Sequence, residues 1–323
     1  MRTQNFFDVI IVGGGPAGLS AALLLGRACR RVLLCDAHQT RNWDSKKLHG
    51  FLALDGLNLR DLVSRGREQL AALGTVTFWD DEIVDGRRWQ NEFEIVTRGG
   101  RNASSRKLLL ATGVMDELPP LAGADACLGK SVFQSPYCDG WETREKPLAI
   151  FGRGARAFTM ARALYTWSRD LVICTDGPSG LLMKQRKQLE NRDIAVHEEL
   201  IECLEHDDGR LKAIRFRNGQ RLPRSYLYFN TPCYQKSSLT ESLGCEFTEG
   251  GAVKTAHYEA TNIPGLYVAG TMMKDVQLAI MAAAEGTRAA LGIQKALAKE
   301  GFMLQDMEKE DRLQPELHVE NPG

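Results

Sequence analysis

One pattern occurs twice in this chain and restricts its fold more than any other feature. An apolar run, Asp8–Val12, ends in Gly13-Gly14-Gly15-Pro16-Ala17-Gly18; an Ala/Leu-rich stretch follows to about Ala28, and a second apolar run, Val32–Cys35, ends at Asp36. Strand, glycine turn, helix and strand in that order make a βαβ unit whose parallel strands are buried on both faces. The order returns at Pro147–Phe151, Gly152-Arg153-Gly154-Ala155-Arg156-Ala157, Phe158–Ser168 and Leu171–Cys174, with Asp176 just beyond. A shift of 139 residues carries Gly13, Gly15 and Gly18 onto Gly152, Gly154 and Ala157. An internal duplication of a mononucleotide-binding unit predicts an α/β fold with two Rossmann-like domains. The 323 residues leave room for both, at roughly 100–200 residues per domain.

Charge and cysteine usage remove several function classes. Lys+Arg and Asp+Glu are both 41, so nonspecific nucleic-acid binding is not expected. No apolar run approaches the roughly 20 residues of a membrane span. Met1–Asn5 runs directly into a strand-like segment with no cleavage site, which reads as a cytoplasmic protein without nucleic-acid or membrane partners. None of the eight cysteines lies in a Cys-x-x-Cys pair or at zinc-ligand spacing from a histidine, so most are expected to be small buried hydrophobes and no metal site is expected. No serine-hydrolase elbow or Walker loop is present.

The first glycine turn carries chemistry. Gly13 permits the tight turn, Gly15 removes a side chain where a pyrophosphate approaches, and Gly18 lets helix and strand pack closely. The helix opening at Pro16-Ala17 offers free N–H groups and a positive dipole end to phosphates. Asp36, 21 residues beyond Gly15, can accept from a ribose hydroxyl. The second turn is less clear. Arg153 and Arg156 either block a pyrophosphate or neutralise it. Asp176 favours NADH over NADPH, because a carboxylate repels a 2′-phosphate. Elsewhere, Leu59–Gly74 reads as helix; Glu92–Thr97, Lys107–Ala111, Leu211–Arg217, Tyr226–Asn230 and Gly265–Ala269 read as strands.

With GGGPAG at 13–18, ATG at 111–113, and PGLYVAGT followed by VQLAI at 264–280, the chain resembles the low-molecular-weight thioredoxin reductases, two-dinucleotide-domain flavoproteins. The resemblance covers roughly residues 6–300. It implies FAD at the first turn and a discontinuous FAD-binding domain, 1–115 plus 250–300. An NAD(P)-binding-like domain, 116–249, is inserted between them and carries the thiol segment. It also implies that Asp36 binds the adenosine ribose and that Thr112-Gly113 pass near the dinucleotide. Gly270-Thr271 follow the VAG strand, and a helix starting at Val276-Gln277-Leu278 points its N-terminus at the flavin. A homodimer is implied as well. Two departures stand out: Thr271 replaces the family's acid, and the family's basic signature for NADPH is missing at Cys174-Thr175-Asp176-Gly177. Some relatives have lost the nicotinamide and take electrons from ferredoxin or another flavin, and the chain is compatible with that branch. The polar stretch 301–323 is read as a mobile tail.

Ser135-Pro136-Tyr137-Cys138-Asp139-Gly140-Trp141 stands where the family carries Cys-x-x-Cys-Asp-Gly. By position Cys138 matches the flavin-proximal thiol, Asp139 the proton-handling acid, and Ser135 the missing distal thiol. Dithiol–disulfide exchange needs both sulfurs, and a serine hydroxyl is a far poorer nucleophile than a thiolate. Three readings stand: an engineered Cys→Ser variant, a natural one-thiol relative, or a structural turn with an incidental cysteine. Tyr137 and Trp141 pack either on the flavin or on the core, and His49 is either a hydrogen-bonding site residue or a loop histidine. The reading that follows is an FAD-dependent thiol/disulfide oxidoreductase acting on a thioredoxin-like protein or a small disulfide. Its rivals are a flavin-only NAD(P)H oxidase or dehydrogenase and an electron-transfer flavoprotein.

Overall fold

Continuous apolar runs become parallel strands because both of their faces must be covered. The structure, a computed structural model, describes residues 5–39, 41, 47–273 and 277–312, with side chains through 303. By its contacts the chain divides into one unit of 1–40, 63–113 and 235–323, and another of 41–62 and 114–234. The cuts fall near 113 and 234, where the expected limits are 115 and 250, and 41–62 goes with the second unit. Gly250-Gly251 turns within the first unit, the Gly251 N–H donating to the Thr248 carbonyl at 2.9 Å.

The first unit is built on a seven-stranded sheet. Phe6–Val12 lies between Val32–Cys35 and Asn102–Leu110, parallel to both, and Val76–Trp79 extends the sheet beyond Val32–Cys35. Asn102–Leu110 changes partner along its length. Its start pairs antiparallel with Glu92–Thr97, and its end pairs parallel with Leu266–Val268. The core joins Ile10, Leu33, Phe93, Leu108, Leu266 and Met272, among others. The second unit has a five-stranded, all-parallel sheet in the order Ala195–His197, Leu171–Cys174, Leu148–Phe151, Tyr226–Phe229, Val132–Phe133. A three-stranded antiparallel sheet, Ile201–Asp207, Arg210–Phe216 and Arg221–Pro223, adds to it. The fold is α/β with two Rossmann-like dinucleotide-binding units. Among the described residues no helix is long and apolar enough to cross a membrane.

Two expectations change. The tail does not begin at Gly301, because the last helix runs from Ala279 to Arg312. Between Gly301 and Pro315 the sequence is rich in Met, Leu, Gln, Glu and Lys, strong helix formers that carry the helix past a single glycine. The remainder of the expected tail, 313–323, lies outside the described residues. Of the helix start expected at Val276-Gln277-Leu278, Val276 also lies outside them. The helix opens at Ala279, and the Ala282 N–H donates to the Leu278 carbonyl at 3.0 Å.

The first helix, Pro16–Arg27, packs against the last one backbone to backbone. A Cβ on Gly286 would lie 2.0 Å from the Ala17 carbonyl oxygen. Gly286→Ala is therefore expected to destabilise the protein by about 1–3 kcal/mol. Gly301→Ala, in the same helix with open space at its Cβ, is expected to stabilise it by about 0.5–1 kcal/mol. Urea midpoints of the two variants against the parent check both signs.

Candidate functional site

At the first turn three stretches of sequence meet within one unit. Gly13 has φ of 112°, and a Cβ there would sit 2.3 Å from the Ala111 carbonyl oxygen. A Cβ on Gly18 would sit 1.8 Å from the Gly13 carbonyl oxygen. Gly15 is the extended residue before the helix, with Pro16 in its first turn, so the N–H groups of Gly15, Ala17 and Gly18 have no intrahelical acceptor. Gly113 and Thr271 are neighbours: a Gly113 Cβ would lie 3.2 Å from Thr271 Oγ1. Thr112 Oγ1 donates to Met272 Sδ at 3.2 Å. Gly270, at φ of 83°, faces the Ala17 methyl, and half-buried Gln277 and Leu278 precede the last helix. Gly13, Gly18, Gly113, Gly270 and Thr271 are thus brought together near the start of the first helix, while Gln277 and Leu278 are placed by sequence, just before the last helix.

Asp36 is buried at the end of its strand, and its Oδ1 accepts the His38 N–H at 3.2 Å. His38 lies between Asp36 and Asp80, at 3.5 and 3.0 Å. Arg67 pairs with Asp80 at 2.6 Å, while its Nη1, 3.9 Å from Asp36 Oδ2, is buried with no hydrogen-bond partner among the described residues. An orphaned buried donor beside a buried carboxylate, next to a cradle that a Cβ would fill, fits the polar ribose end of a dinucleotide. Three contributors escaped the sequence reading. Gly14 is required because its Cβ would lie 2.2 Å from Asp36 Oδ2. Arg67 comes from a helix with no motif. Glu285, buried, accepts the Gly270 N–H at 2.9 Å, which places a carboxylate at the strand end where Thr271 replaces the family's acid.

The second turn has the same strand–turn–helix order with different contents. The Gly154 N–H donates to the Ser179 carbonyl at 2.7 Å, and Gly180 packs against Gly154. Arg153 folds back over the next strand end: its Nε donates to the Thr175 carbonyl at 2.7 Å and its Nη2 to the Asp176 carbonyl. Asp176 Oδ1 accepts the Ile201 N–H at 2.7 Å. Arg186 and the Ser179 N–H both bind Glu198, at 2.6 and 2.9 Å. Hydrogen bonds from the Ser179 side chain, the Ser179 N–H and Arg186 hold the Glu198 carboxyl down at about 2. Arg153, the Gly154 N–H and one oxygen of Asp176 are thus engaged by the protein itself.

The thiol segment lies in the second unit, on the short helix Pro136–Asp139, with Ser135 as its N-cap residue. The Cys138 and Asp139 N–H groups both donate to the Ser135 carbonyl at 3.2 Å. Burial pushes the Cys138 thiol up, opposed by a hydrogen bond with the Ser135 side chain; Asp139 adds to the rise, and Arg41 opposes it. Arg41 is itself held by a two-pronged pair with Asp116, both contacts 2.6 Å, and by Gln134 at 2.9 Å. Burial pushes the Asp139 carboxyl up to about 6; His49 pulls against that rise and Glu142 adds to it. Buried Thr143 anchors the segment, donating to the Asp139 carbonyl at 3.1 Å and meeting the Tyr228 hydroxyl at 2.8 Å. Gly140 is fixed by packing, since its Cβ would lie 2.7 Å from the Trp167 ring. Tyr137 and Trp141 do not pack into the core: they are 70% and 65% exposed, with Trp167 edge-on to Tyr137 and Arg144 stacked on Trp141. Of the eight cysteines, four are buried: Cys35, Cys127, Cys174 and Cys245.

A family model for pyridine nucleotide-disulphide oxidoreductases matches residues 7–286. The chain is 29% identical over 306 residues to thioredoxin reductase aclD of Aspergillus oryzae, covering 90% of this chain and 96% of that one. Among solved structures it is similar to HlmI (TM-score 0.92, 30% identity, 97% of this chain and 99% of that one). It is also similar to an oxidoreductase from Agrobacterium tumefaciens (TM-score 0.85, 28% identity, 90% of this chain and 98% of that one).

The raised Asp139 carboxyl has a stability signature. Its folded value, about 6, exceeds the ordinary 3.8, so the folded state binds the extra proton between those values and loses stability as pH rises through them. Asp139→Asn removes that loss. Relative to the parent, its urea midpoint is expected to rise between pH 4 and pH 7, by an equivalent on the order of 2 kcal/mol. A parallel pair of pH profiles contradicts the assignment.

Proposed function

Because the chain belongs to the pyridine nucleotide-disulphide oxidoreductase family, we propose that it moves electrons between FAD and a sulfur substrate through a single thiol, Cys138. The protein is an FAD-dependent oxidoreductase of the thioredoxin reductase-like class. The observation that carries the finer reading is the contact of Ser135 and Cys138 beside a carboxyl raised to about 6. The backbone at Gly13, Gly15, Pro16, Ala17 and Gly18 would cradle the pyrophosphate, and Asp36 would take the ribose. Thr112, Gly113, Gly270, Thr271, Gln277 and Leu278 would complete the FAD-binding surface. Reduced FAD, when bound, would supply the two electrons that cleave the Cys138–substrate disulfide, freeing the second substrate sulfur and returning Cys138 to the thiol.

The side chains divide the sulfur chemistry. Burial keeps Cys138 protonated at neutral pH, so it needs a base, and ionised Asp139 is adjacent in sequence. The Cys138 proton goes to Asp139; the thiolate attacks a substrate disulfide, the substrate S–S bond breaks as the Cys138–substrate S–S bond forms, and Asp139 returns the proton to the leaving sulfur. Ser135 cannot form the second disulfide. Its hydroxyl instead hydrogen-bonds the thiol and holds it in place.

The electron donor in this reading is not a nicotinamide. The Gly154 N–H and the Asp176 carboxylate are engaged internally, which supports a degenerate NAD(P)H site and a donor such as ferredoxin or another flavin. A thioredoxin-like protein or a small disulfide is the substrate, and a cytoplasmic homodimer is the expected form.

Three measurements test this. In an anaerobic titration the flavin bands are expected to stay oxidised with NADH and NADPH and to bleach with dithionite; prompt bleaching by either nicotinamide defeats the degenerate-site reading. Cys138→Ser is expected to abolish sulfur turnover with FAD still bound. Ser135→Cys is expected to give a reducible 135–138 disulfide, seen as two fewer titratable thiols per chain in the oxidised variant than in the same variant after reduction.

A further inference from the structure

The structure assigns a role to His49, which the reading above leaves unused. In the unit that holds the thiol segment, His49 Nδ1 faces Asp55 Oδ2 at 3.3 Å, and Nε2 faces Glu142 Oε1 at 3.5 Å. Asp55 is fixed in turn, its Oδ1 accepting the Gly50 N–H at 2.8 Å. The histidine side chain is largely buried, at 14% exposed. With both ring nitrogens aimed at carboxylates, only the imidazolium provides a donor to each. Glu142 lies one turn beyond Cys138 and Asp139, so the same clamp that holds the ring joins it to the thiol segment.

The geometry points to His49 as a positioning residue for the proton shuttle at Asp139: an imidazole clamped between Asp55 and Glu142 that sets a cation against the thiol segment. The groups bearing on Asp139 are His49, Glu142 and Cys138, with the Tyr228 hydroxyl on the sheet side. Lys47 bears on Asp55, and Arg41 bears on Cys138. Within this set His49 opposes the burial that raises Asp139, and Glu142 reinforces it. The shuttle moves one proton from Cys138 to Asp139 and on to the leaving sulfur. His49 takes no part in that transfer and changes only how readily Asp139 holds its proton.

The proposal rests on Cys138 and Asp139 being the working pair, so its test reads their ionisation without turnover. The rate of Cys138 alkylation, resolved by peptide mass spectrometry, is followed against pH in the full chain. Because ionised Asp139 raises the Cys138 thiol, the profile carries an acidic inflection from Asp139 below the main thiol titration. His49→Gln is expected to move that inflection up by about one pH unit, and Glu142→Gln to move it down. Asp55→Asn, which keeps the ring and loses one anchor, is expected to move it up by less than His49→Gln. His49→Lys, which restores a cation, brings it back toward the parent. An inflection unmoved in both His49→Gln and Asp55→Asn overturns the proposal, as does a parent profile without one. Equal shifts in His49→Gln and His49→Lys would show that only packing was disturbed, and overturn it too. If Cys138→Ser retains sulfur turnover while the inflection still follows His49, the single-thiol mechanism falls and the electrostatic coupling stands.

Discussion

The first helix is confined by backbone on two sides, and the dinucleotide-binding end of the protein depends on that confinement. At its start Gly18 lies against the Gly13 carbonyl, and Gly286 of the last helix lies against the Ala17 carbonyl; neither place has room for a Cβ. Such close approach fixes the helix relative to the strand Phe6–Val12 and to a segment more than 250 residues away in sequence. It also aims the open N–H groups of the first turn in one direction, which is what gives a helix N-terminus its affinity for phosphate. Gly270, against the Ala17 methyl, and Thr271, against Gly113, are placed by the same packing.

The duplicated unit shows how little of such a site the glycine pattern controls. Both copies have strand, turn, helix, strand and a trailing acid. In the first, Asp36 is buried beside Gly14, and close by is a guanidinium nitrogen with no hydrogen-bond partner among the described residues. In the second, the segment 177–180 closes on Gly154, and Arg153 ties the turn to the carbonyls of the neighbouring strand end. A buried polar group needs a partner. Where the chain supplies that partner, a ligand must displace an existing hydrogen bond rather than form a missing one.

Much of the fold was legible because parallel strands read as uninterrupted apolar runs. Val32–Cys35 and Leu171–Cys174 occupy the positions read from sequence; so does Glu92–Thr97, whose alternating residues have antiparallel partners instead. Asn102–Leu110 was visible only in its last half, since Asn102–Arg106 is polar and acquires its strand character from antiparallel partners. The helix beyond Gly301 was missed by weighing charge above helix propensity. In the site, local chemistry was readable and tertiary chemistry was not. The glycines and Asp36 follow from spacing, but Gly14, Arg67 and Glu285 matter through what they touch. Asp176 shows the converse. Its spacing matches a ribose-binding acid, yet its carboxylate caps the Ile201 N–H, and spacing carries no information about side-chain direction.

A lone thiol makes proton handling the controlling problem. With two cysteines, one sulfur stabilises the other's departure as a thiolate; with Ser135 in place, Cys138 has a hydroxyl donor and a raised, mostly protonated thiol. An exposed carboxylate near 4 would be too weak a base to take that proton and too weakly protonated at neutral pH to give one back. Burial lifts Asp139 to about 6, where both protonation states are populated near neutrality. The same burial, unopposed, would carry the carboxyl further up and leave less of it ionised near neutrality. The pull of His49 works against that, which is why a histidine held by two acids belongs to the chemistry of this segment and not only to the loop that bears it.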